Sequence, residues 1–285
     1  MTELFEKAYA KLNLTLDIIG KRDDGYHDLK SVMQTVSFCD DVYITLGTGE
    51  AWRLTCDREG MPCDERNLAW KAAKAFFDTQ GLDPNGIHIH IVKRLPSQAG
   101  MGGGSADAAA VLRALNRHYG EPLTVMELAD LGATFGSDVP FCVVGGTCMC
   151  EGRGEILTVL PAMPPCTIVG VKPPFPVSTP FLFRKIDSVP VYTRPDNDAV
   201  VRALEAGDIS AIADLICNVF DPVVSAEHPE IDEIKAIYRS FGAIGAQMTG
   251  SGSACFAIVP RGKDAEGLRS KLEERFGEAF VCYPV

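Results

Sequence analysis

Apolar and polar residues alternate along several stretches of the chain with the period of two that β-strands require. The run KLNLTLDI begins at Lys11 and places three leucines on one face, so that Lys11 and Asn13 share the opposite face. The run GIHIHIV, residues 86–92, places three isoleucines on one face in the same way. Similar short β-type runs predict further strands over residues 41–46, 52–56, 166–171 and 253–259.

Apolar residues spaced three and four apart predict helices between these strands. One helix is predicted over residues 67–81, where Gly81 suits the left-handed conformation that ends many helices. A second follows the glycines near residue 104 and stops at Gly120. A third begins after Thr124, which forms a capping box with Glu127. The remaining predicted helices lie over residues 198–207, 229–242 and 264–277.

A proline-rich segment divides the pattern near the middle of the chain. Residues 161–180, PAMPPCTIVGVKPPFPVSTP, contain seven prolines around one buried-strand pattern. Proline lacks the N–H that a helix interior needs, so this segment predicts no helix. It predicts a stiff junction between two units of mixed α and β structure.

Composition limits the functions that are open to this chain of 285 residues. Its 27 Lys and Arg against 38 Asp and Glu give a formal net charge of −11, which opposes a sequence-independent hold on nucleic acid or anionic membranes. No apolar stretch approaches the roughly 18 residues of a membrane span. The ten cysteines are scattered, without a C-x-x-C pair, which favours reduced thiols and a cytoplasmic location.

A glycine-rich loop is the strongest candidate for a binding site. Four glycines fall within residues 100–104, directly before the alanine-rich predicted helix. Glycine lets a ligand approach the backbone, and a helix N-terminus offers unpaired N–H groups and a partial positive charge. The combination suits a phosphate group, although a glycine-rich turn that binds nothing remains an alternative.

Two common phosphate-binding patterns do not fit this loop. The Walker pattern needs Gly-Lys followed by Ser or Thr, whereas Lys21 precedes Arg22 and Lys263 precedes Asp264. The dinucleotide pattern G-x-G-x-x-G fails because Ser105 stands at its third glycine.

Two histidines on the strand at residues 86–92 raise the question of a metal site. His88 and His90 share the face opposite the isoleucines, but no third ligand is near them in sequence. We therefore predict no protein metal site and interpret the pair as structural.

The glycine loop belongs to a set of four motifs that together resemble a known family. Residues 96–109 read P-x-x-x-G-[LM]-G-G-G-S-x-[DN]-A-A and resemble the phosphate loop of the GHMP kinases, which phosphorylate small molecules with ATP. Residues 7–36 resemble the opening of one family in that group, the 4-diphosphocytidyl-2-C-methylerythritol kinases. Residues 136–141, GSDVPF, and 248–257, MTGSGSACFA, resemble its catalytic-aspartate segment and its third, glycine-rich motif.

Two residues depart from the family pattern. Tyr9 stands where proline is usual, and Ala106 stands where a second serine is usual. Neither departure removes a group with an implied chemical role, but Ala106 leaves the phosphate site one possible hydroxyl short.

The resemblance implies a two-domain α+β GHMP kinase fold with the active site in the cleft between domains. Its N-terminal domain, similar to ribosomal protein S5, would span residues 1–158, and its ferredoxin-like C-terminal domain residues 159–285. The implied cofactors are ATP and the Mg²⁺ carried with it. The implied partner is a cytidine diphosphate derivative of methylerythritol, with no nucleic acid or membrane partner, and the chain would be a monomer or a weak homodimer.

The resemblance also assigns the chemistry to two residues. A carboxylate that accepts the proton of the acceptor hydroxyl and a cation that stabilises the growing alkoxide would both assist phosphoryl transfer. Asp138 and Lys11 match these roles. Without the other motifs, Asp138 reads as a surface-turn aspartate and Lys11 as a solvated strand lysine.

Binding residues follow from the same motifs. Tyr26 can stack on a cytosine ring and His27 can hydrogen-bond a base edge, with Phe183 as a second aromatic. The residues implied to bind ATP are Asn67, Pro96, Gly100, Gly102, Gly103, Gly104 and Ser105. The residues implied to bind the acceptor are Asn13, Tyr26, His27, Thr179, Phe183, Gly250 and Ser251.

The implied reaction transfers the γ-phosphate of ATP to the 2-hydroxyl of the cytidine compound, in the non-mevalonate route to isoprenoids. One alternative is a sibling kinase that acts on mevalonate or homoserine, against which the DGYH motif at residues 24–27 argues because those substrates carry no base. A second alternative is a nucleotide-binding module without catalysis.

Overall fold

The computed structural model describes every residue from 1 to 285 and contains twelve strands and ten helices. The strands are β1 Thr2–Asn13, β2 Thr15–Lys21, β3 His27–Leu46, β4 Arg53–Cys56, β5 Ile87–Val92, β6 Thr147–Gly152, β7 Ile156–Val159, β8 Thr167–Val171, β9 Cys217–Asn218, β10 Gly245–Met248, β11 Cys255–Val259 and β12 Ala279–Cys282. The helices are α1 Leu68–Gln80, α2 Gly103–His118, α3 Val125–Ala133, α4 Val139–Val144, α5 Thr179–Ile186, α6 Asn197–Ala206, α7 Ile209–Leu215, α8 Asp221–Ser225, α9 Glu230–Ser240 and α10 Ala265–Phe276.

The chain forms two compact units that interleave along the sequence. The first unit contains Met1–Ala10, Cys39–Leu95 and Gly102–Gly145, and the second contains Lys11–Phe38, Pro96–Met101 and Gly146–Val285. The long strand β3 and the glycine loop therefore each contribute residues to both units. The division into domains at residue 158 stays a prediction about the family's domain arrangement.

The first unit combines a sheet with four helices. The second half of β3 pairs antiparallel with β5, from Asp41 opposite Val92 to Leu46 opposite Ile87, and β5 pairs parallel with β4. The three isoleucines of β5 are buried, which confirms the period-two interpretation of that strand. The predicted strands at residues 41–46 and 52–56 are also confirmed.

Local sequence sets the ends of the first unit's helices. Asn67 caps the start of α1 by accepting a hydrogen bond from the N–H of Ala69, and Gly81 ends that helix in the left-handed conformation. Thr124 and Glu127 form the predicted capping box at the start of α3. These signals lie within a few residues of the helix ends, so the sequence alone is sufficient to place them.

Helix α2 is more deeply buried than its apolar stripe predicts. Ten of its residues are buried, five of them alanines, and it packs against both α1 and α4. Alanine has the smallest side chain that still favours a helix, so neighbouring helices can approach α2 from several sides.

The second unit contains strands from both halves of the sequence. The first half of β3 pairs antiparallel with β2 and with β6, and β6 continues antiparallel into β7. The short strand β9 pairs parallel with β2, through Thr15 opposite Cys217 and Leu16 opposite Asn218. This arrangement brings the KLNLTLDI segment together with residues more than 200 positions later in the chain.

The C-terminal part of the second unit has the ferredoxin-like topology. Strands β8, β10, β11 and β12 form an antiparallel sheet in the order β10-β11-β8-β12. Helices α9 and α10 pack on this sheet, and their apolar side chains form a core with Val169, Cys255 and Ala257. The predicted helices and strands in this region are confirmed within one or two residues at each end.

Four helices were not predicted from the sequence, namely α4, α5, α7 and α8. The proline-rich segment was expected to hold no helix up to residue 180, but α5 begins at Thr179 with Pro180 in its first turn. Proline is tolerated there because the first helical N–H groups have no partner in any case. Helix α4 was not predicted, because six residues are too few to show a helical period.

No helix in the structure has the length and apolar character needed to cross a membrane. All ten cysteines are free thiols.

Candidate active site

The glycine-rich loop, residues 96–104, ends in a helix N-terminus that no side chain caps. Gly102 takes the left-handed conformation at φ 71° immediately before α2, and no side-chain hydrogen bond satisfies the first N–H groups of that helix. Gly103, Gly104 and Ser105 form the first turn and are all partly exposed. Unpaired N–H groups and the helix dipole make this turn suitable for an anionic ligand.

A buried ion cluster lies beneath this first turn and was not anticipated from the sequence. Lys93 contacts the carboxylates of Asp40 and Asp107, with 2.7 Å from its Nζ to Oδ2 of Asp107. A Cβ added at Gly103 would lie 3.5 Å from the same Nζ. Burial raises the pKa of Asp107 to about 7; the ammonium group of Lys93 opposes this shift, and the neighbouring carboxylate of Asp40 adds to it. The cluster links the end of β5 to the first turns of α2 and so positions the loop.

Asn67, predicted to approach adenine, is engaged in local hydrogen bonds. Its side-chain oxygen caps α1, and its Nδ2 donates to the carbonyl of Pro62 at 2.8 Å. The residue is almost fully buried. The role of Asn67 toward adenine stays a prediction. Because both polar atoms of its side chain are engaged, adenine would contact its small exposed surface or the residues around it.

Asp138 stands at the N-terminus of α4 in a turn defined by close packing. Its side chain does not cap that helix, and the residue is half-buried. A Cβ at Gly136 would lie 2.9 Å from Cγ2 of Val139, and one at Gly132 would lie 2.6 Å from Cγ1 of the same valine. Both glycines are needed for Val139 to pack there, and this packing holds Asp138 in position.

Lys11 is buried and forms part of a chain of hydrogen bonds within the second unit. Its Nζ donates to Oδ1 of Asn13 at 2.6 Å, which confirms that the two side chains share a face. Nδ2 of Asn13 donates to Oγ of Ser31 at 2.8 Å, and Ser31 donates to the carbonyl of Thr15 at 2.5 Å. The alternative interpretation of Lys11 as a solvated lysine is wrong, because the side chain is buried and these hydrogen bonds hold its ammonium group.

The glycine-rich loop and the glycine-rich motif at residues 248–257 meet within the second unit. The N–H of Asn13 donates to Oγ1 of Thr249 at 3.0 Å, next to Gly250. A Cβ at Gly100 would lie 2.2 Å from the carbonyl oxygen of Thr249, and one at Gly250 would lie 2.7 Å from that of Gly100. Both glycines have positive φ. Pro96 is buried at the start of the same loop.

We expect Gly100→Ala to destabilise the protein by about 2 kcal/mol, lowering Tm by roughly 5 °C. The new methyl group would overlap the carbonyl of Thr249 and would need a left-handed backbone. Differential scanning calorimetry measures the change. Gly20→Ala is the matched control, because Gly20 is exposed and has no atom within 4 Å of the added Cβ. Equal Tm values for the two variants would contradict the packing described for Gly100.

The DGYH segment forms a turn that presents one aromatic side chain to solvent. Gly25 has φ 84°, and the turn closes with a hydrogen bond from Arg22 N–H to the carbonyl of Tyr26 at 2.8 Å. Tyr26 is 58% exposed. The guanidinium carbon of Arg153 lies 5.3 Å from the centre of its ring.

The side chain of His27, by contrast, is buried against Phe183 of α5 and Asp187, the residue that ends this helix. Its ring centre lies 5.1 Å from that of Phe183, and Nε2 lies 2.7 Å from Oδ1 of Asp187. Phe183 also packs edge-on against Phe220 and belongs partly to the core. The rings of His27 and Phe183 are therefore in direct contact, and the role of Phe183 as a second aromatic on the base stays a prediction.

Two other predicted acceptor residues also lie together. Oγ of Ser251 and Oγ1 of Thr179 are 2.7 Å apart, although they are separated by 72 positions in sequence. Both are at least partly accessible. The sequence motifs placed them in different segments, and α5 brings them together.

The two histidines on β5 both contact the hydroxyl of a threonine on the neighbouring strand β4. Oγ1 of Thr55 lies 2.8 Å from Nε2 of His88 and 2.9 Å from Nδ1 of His90. No cluster of three or more potential metal ligands occurs in the structure.

Comparisons with known proteins match both parts of the chain. Residues 67–146 match the family model of the GHMP kinases N terminal domain, and residues 200–278 match that of the GHMP kinases C terminal. A protein of Caldicellulosiruptor saccharolyticus named 4-diphosphocytidyl-2-C-methyl-D-erythritol kinase is 44% identical to this chain. The match covers 94% of this chain and 92% of that protein.

Solved structures show the same relationship. A crystal structure of a 4-(cytidine 5'-diphospho)-2C-methyl-D-erythritol kinase superposes with a TM-score of 0.81 at 30% identity, over 98% of each chain. A homoserine kinase from Cytophaga hutchinsonii superposes with a TM-score of 0.77 at 20% identity, over 100% of this chain and 95% of its own. The second likeness shows a shared fold and nothing finer.

Proposed function

Because the chain belongs to the 4-diphosphocytidyl-2-C-methyl-D-erythritol kinases of the GHMP kinase superfamily, we propose that it phosphorylates the 2-hydroxyl of 4-diphosphocytidyl-2-C-methyl-D-erythritol with ATP. The products are the 2-phosphate and ADP, in the non-mevalonate route to isopentenyl diphosphate. The observation that carries the choice of acceptor is the exposed side chain of Tyr26, next in sequence to His27, whose ring contacts that of Phe183. An aromatic site of this kind suits a nucleobase.

The phosphates of ATP bind to the first turn of α2 in this proposal. The N–H groups of Gly103 and Gly104 and the hydroxyl of Ser105 supply donors, and the helix dipole adds positive potential. Mg²⁺ enters with ATP as part of the substrate and keeps several waters. We place the adenine near Asn67, and the substrate hydroxyls near Thr179 and Ser251.

The chemical step rests on a base and a cation. Asp138 accepts the proton of the 2-hydroxyl as the oxygen attacks the γ-phosphorus and the bond to the β-phosphate oxygen breaks. Lys11 stabilises the negative charge on the attacking and transferred oxygens. Asn13 holds Lys11 for this role, which is supported by the 2.6 Å hydrogen bond from its Nζ. The enzyme acts in the cytoplasm as a monomer or a weak homodimer.

The position of phosphorylation is tested by analysing the product. Purified protein, MgATP and the cytidine compound are expected to give a product one phosphoryl group heavier by mass spectrometry. ³¹P NMR should place the new phosphate on the tertiary alcohol, through the absence of coupling to a carbinol proton. Phosphorylation at another hydroxyl would contradict the proposed acceptor atom while keeping the kinase activity.

Tyr26→Ala is expected to raise KM for the cytidine compound roughly tenfold or more with little change in kcat, because stacking on one base contributes about 1–3 kcal/mol. Steady-state kinetics measures both constants. Tyr192→Ala is the control, since Tyr192 is a tyrosine that is 91% exposed. A KM that stays at the wild-type value in Tyr26→Ala would remove Tyr26 from the base site.

A further inference from the structure

His27 is held by a carboxylate that no sequence motif singled out. Nε2 of His27 lies 2.7 Å from Oδ1 of Asp187, the residue that ends α5, and the histidine side chain is only 4% exposed. The other carboxylate oxygen, Oδ2, lies 2.7 Å from Nζ of Lys21. The hydrogen bonds to Lys21 and His27 hold the pKa of Asp187 below its usual range, so the carboxylate is ionised.

This geometry decides which nitrogen of the neutral imidazole carries the proton. An ionised carboxylate can only accept hydrogen bonds, so Nε2 must be the protonated nitrogen. Nδ1 of His27 then has a lone pair and acts as a hydrogen-bond acceptor. Histidines that bind metals are held in the same way, because a hydrogen-bond acceptor at one ring nitrogen fixes the tautomer and leaves the other nitrogen free to bind the metal.

We propose that Asp187 determines the preference of this enzyme for cytosine over uracil, by fixing the tautomer of His27. Position 4 of cytosine carries an amino group, which donates to the lone pair of Nδ1. Position 4 of uracil carries a carbonyl, which presents a second acceptor to the same lone pair and is rejected. Asp187 is a positioning residue here, since it acts through His27. This inference rests on the proposed function and names the feature of the substrate that the site recognises.

Lys21 makes the arrangement sensitive to a single substitution. The ammonium group of Lys21 can only donate hydrogen bonds. Any side chain that replaces Asp187 must therefore present a hydrogen-bond acceptor to Lys21. In Asp187→Asn the carbonyl of the new amide would therefore face Lys21, and its amino group would face Nε2 of His27. Nε2 would then be the acceptor and Nδ1 would carry the proton. Nδ1 would therefore favour a hydrogen-bond acceptor on the base, whereas in the wild-type protein it favours a donor.

The test compares the cytidine compound with its uridine analogue as acceptors for MgATP. In Asp187→Asn, we expect kcat/KM for the cytidine compound to fall roughly tenfold, mainly through KM, and the ratio of cytidine to uridine activity to fall further. Lys21→Met is the matched control, because it removes the ion pair and leaves the carboxylate on His27, so the wild-type ratio should persist. Combining both substitutions should restore much of the preference for cytidine, since the amide is then free to turn its carbonyl to His27.

The inference would be overturned if Asp187→Asn lost activity toward both acceptors in equal proportion and adding Lys21→Met did not restore the lost activity. Asp187 would then have only a structural role. ¹⁵N NMR of the imidazole in the wild-type protein gives a second test that requires no variant. Protonation of His27 at Nε2 is expected, and protonation at Nδ1 would overturn the inference. Failure of the wild-type protein to phosphorylate the cytidine compound at all would instead contradict the proposed function.

Discussion

Asp138→Asn is expected to lower kcat about a thousandfold while KM for both substrates stays within a few-fold of the wild-type value. Asparagine has nearly the same shape as aspartate but cannot accept the proton of the acceptor hydroxyl. The turn that holds residue 138 depends on Gly132, Gly136 and Val139, none of which is changed, so the fold is expected to persist. Single-turnover measurements with saturating MgATP would report the chemical step directly.

The control for this variant is Asp130→Asn. Asp130 is an exposed carboxylate on the neighbouring helix α3, so its replacement changes the net charge equally without touching the turn. Wild-type kinetics are expected in the control. If Asp138→Asn retained a kcat within about tenfold of wild type, the assignment of Asp138 as the general base would be wrong.

Lys11→Met is expected to lower kcat about a hundredfold or more, because it removes the cation that we propose stabilises the developing charge. Methionine matches much of the length of lysine, so the loss should come mainly from the charge. The ammonium group donates to Asn13 at 2.6 Å in a buried setting, and Oδ1 of Asn13 would keep a weaker partner in Oγ1 of Thr249 at 3.4 Å. A modest fall in Tm is therefore expected as well.

Lys7→Met separates this effect from a general loss of positive charge. Lys7 lies four residues earlier on the same strand, and its residue is exposed. We expect its variant to keep the wild-type kcat. A kcat for Lys11→Met equal to that of Lys7→Met would show that Lys11 takes no part in the reaction, whatever the change in stability.

Sequence patterns are sufficient where the determining interactions are local. Gly81 ends α1, and Thr124 caps α3 together with Glu127, through contacts that span only a few residues. The period of two along KLNLTLDI likewise places Lys11 beside Asn13 on one face. These features require no knowledge of the rest of the chain.

Interactions between distant residues could not be predicted in the same way. Asp187 lies 160 positions from His27, and Lys93 lies 53 positions from Asp40. A lysine or an aspartate in a sequence is usually solvated, so nothing marks these particular ones as buried partners. The one available signal for Lys93 was its position. It continues the period of two set by three buried isoleucines, which places residue 93 on the buried face of the strand.

Motifs indicated candidate site residues but not the surroundings of those residues. The DGYH segment indicated that Tyr26 and His27 could bind a base, yet it gave no sign that Tyr26 is exposed while His27 is buried against Phe183. His27 is buried because it contacts α5, a helix that the sequence did not predict and that begins at the end of the proline-rich segment. Pro180 is compatible with this helix because it occupies the first turn, where its missing N–H has no cost.

The central claim is that this chain is a kinase whose acceptor must carry a cytosine base. The most direct measurement is ADP release by the purified protein with MgATP and, one at a time, 4-diphosphocytidyl-2-C-methyl-D-erythritol, methylerythritol phosphate, mevalonate and homoserine. We predict release with the cytidine compound alone. Release with one of the base-free alcohols, or ATP binding without release in any of the four reactions, would contradict the claim.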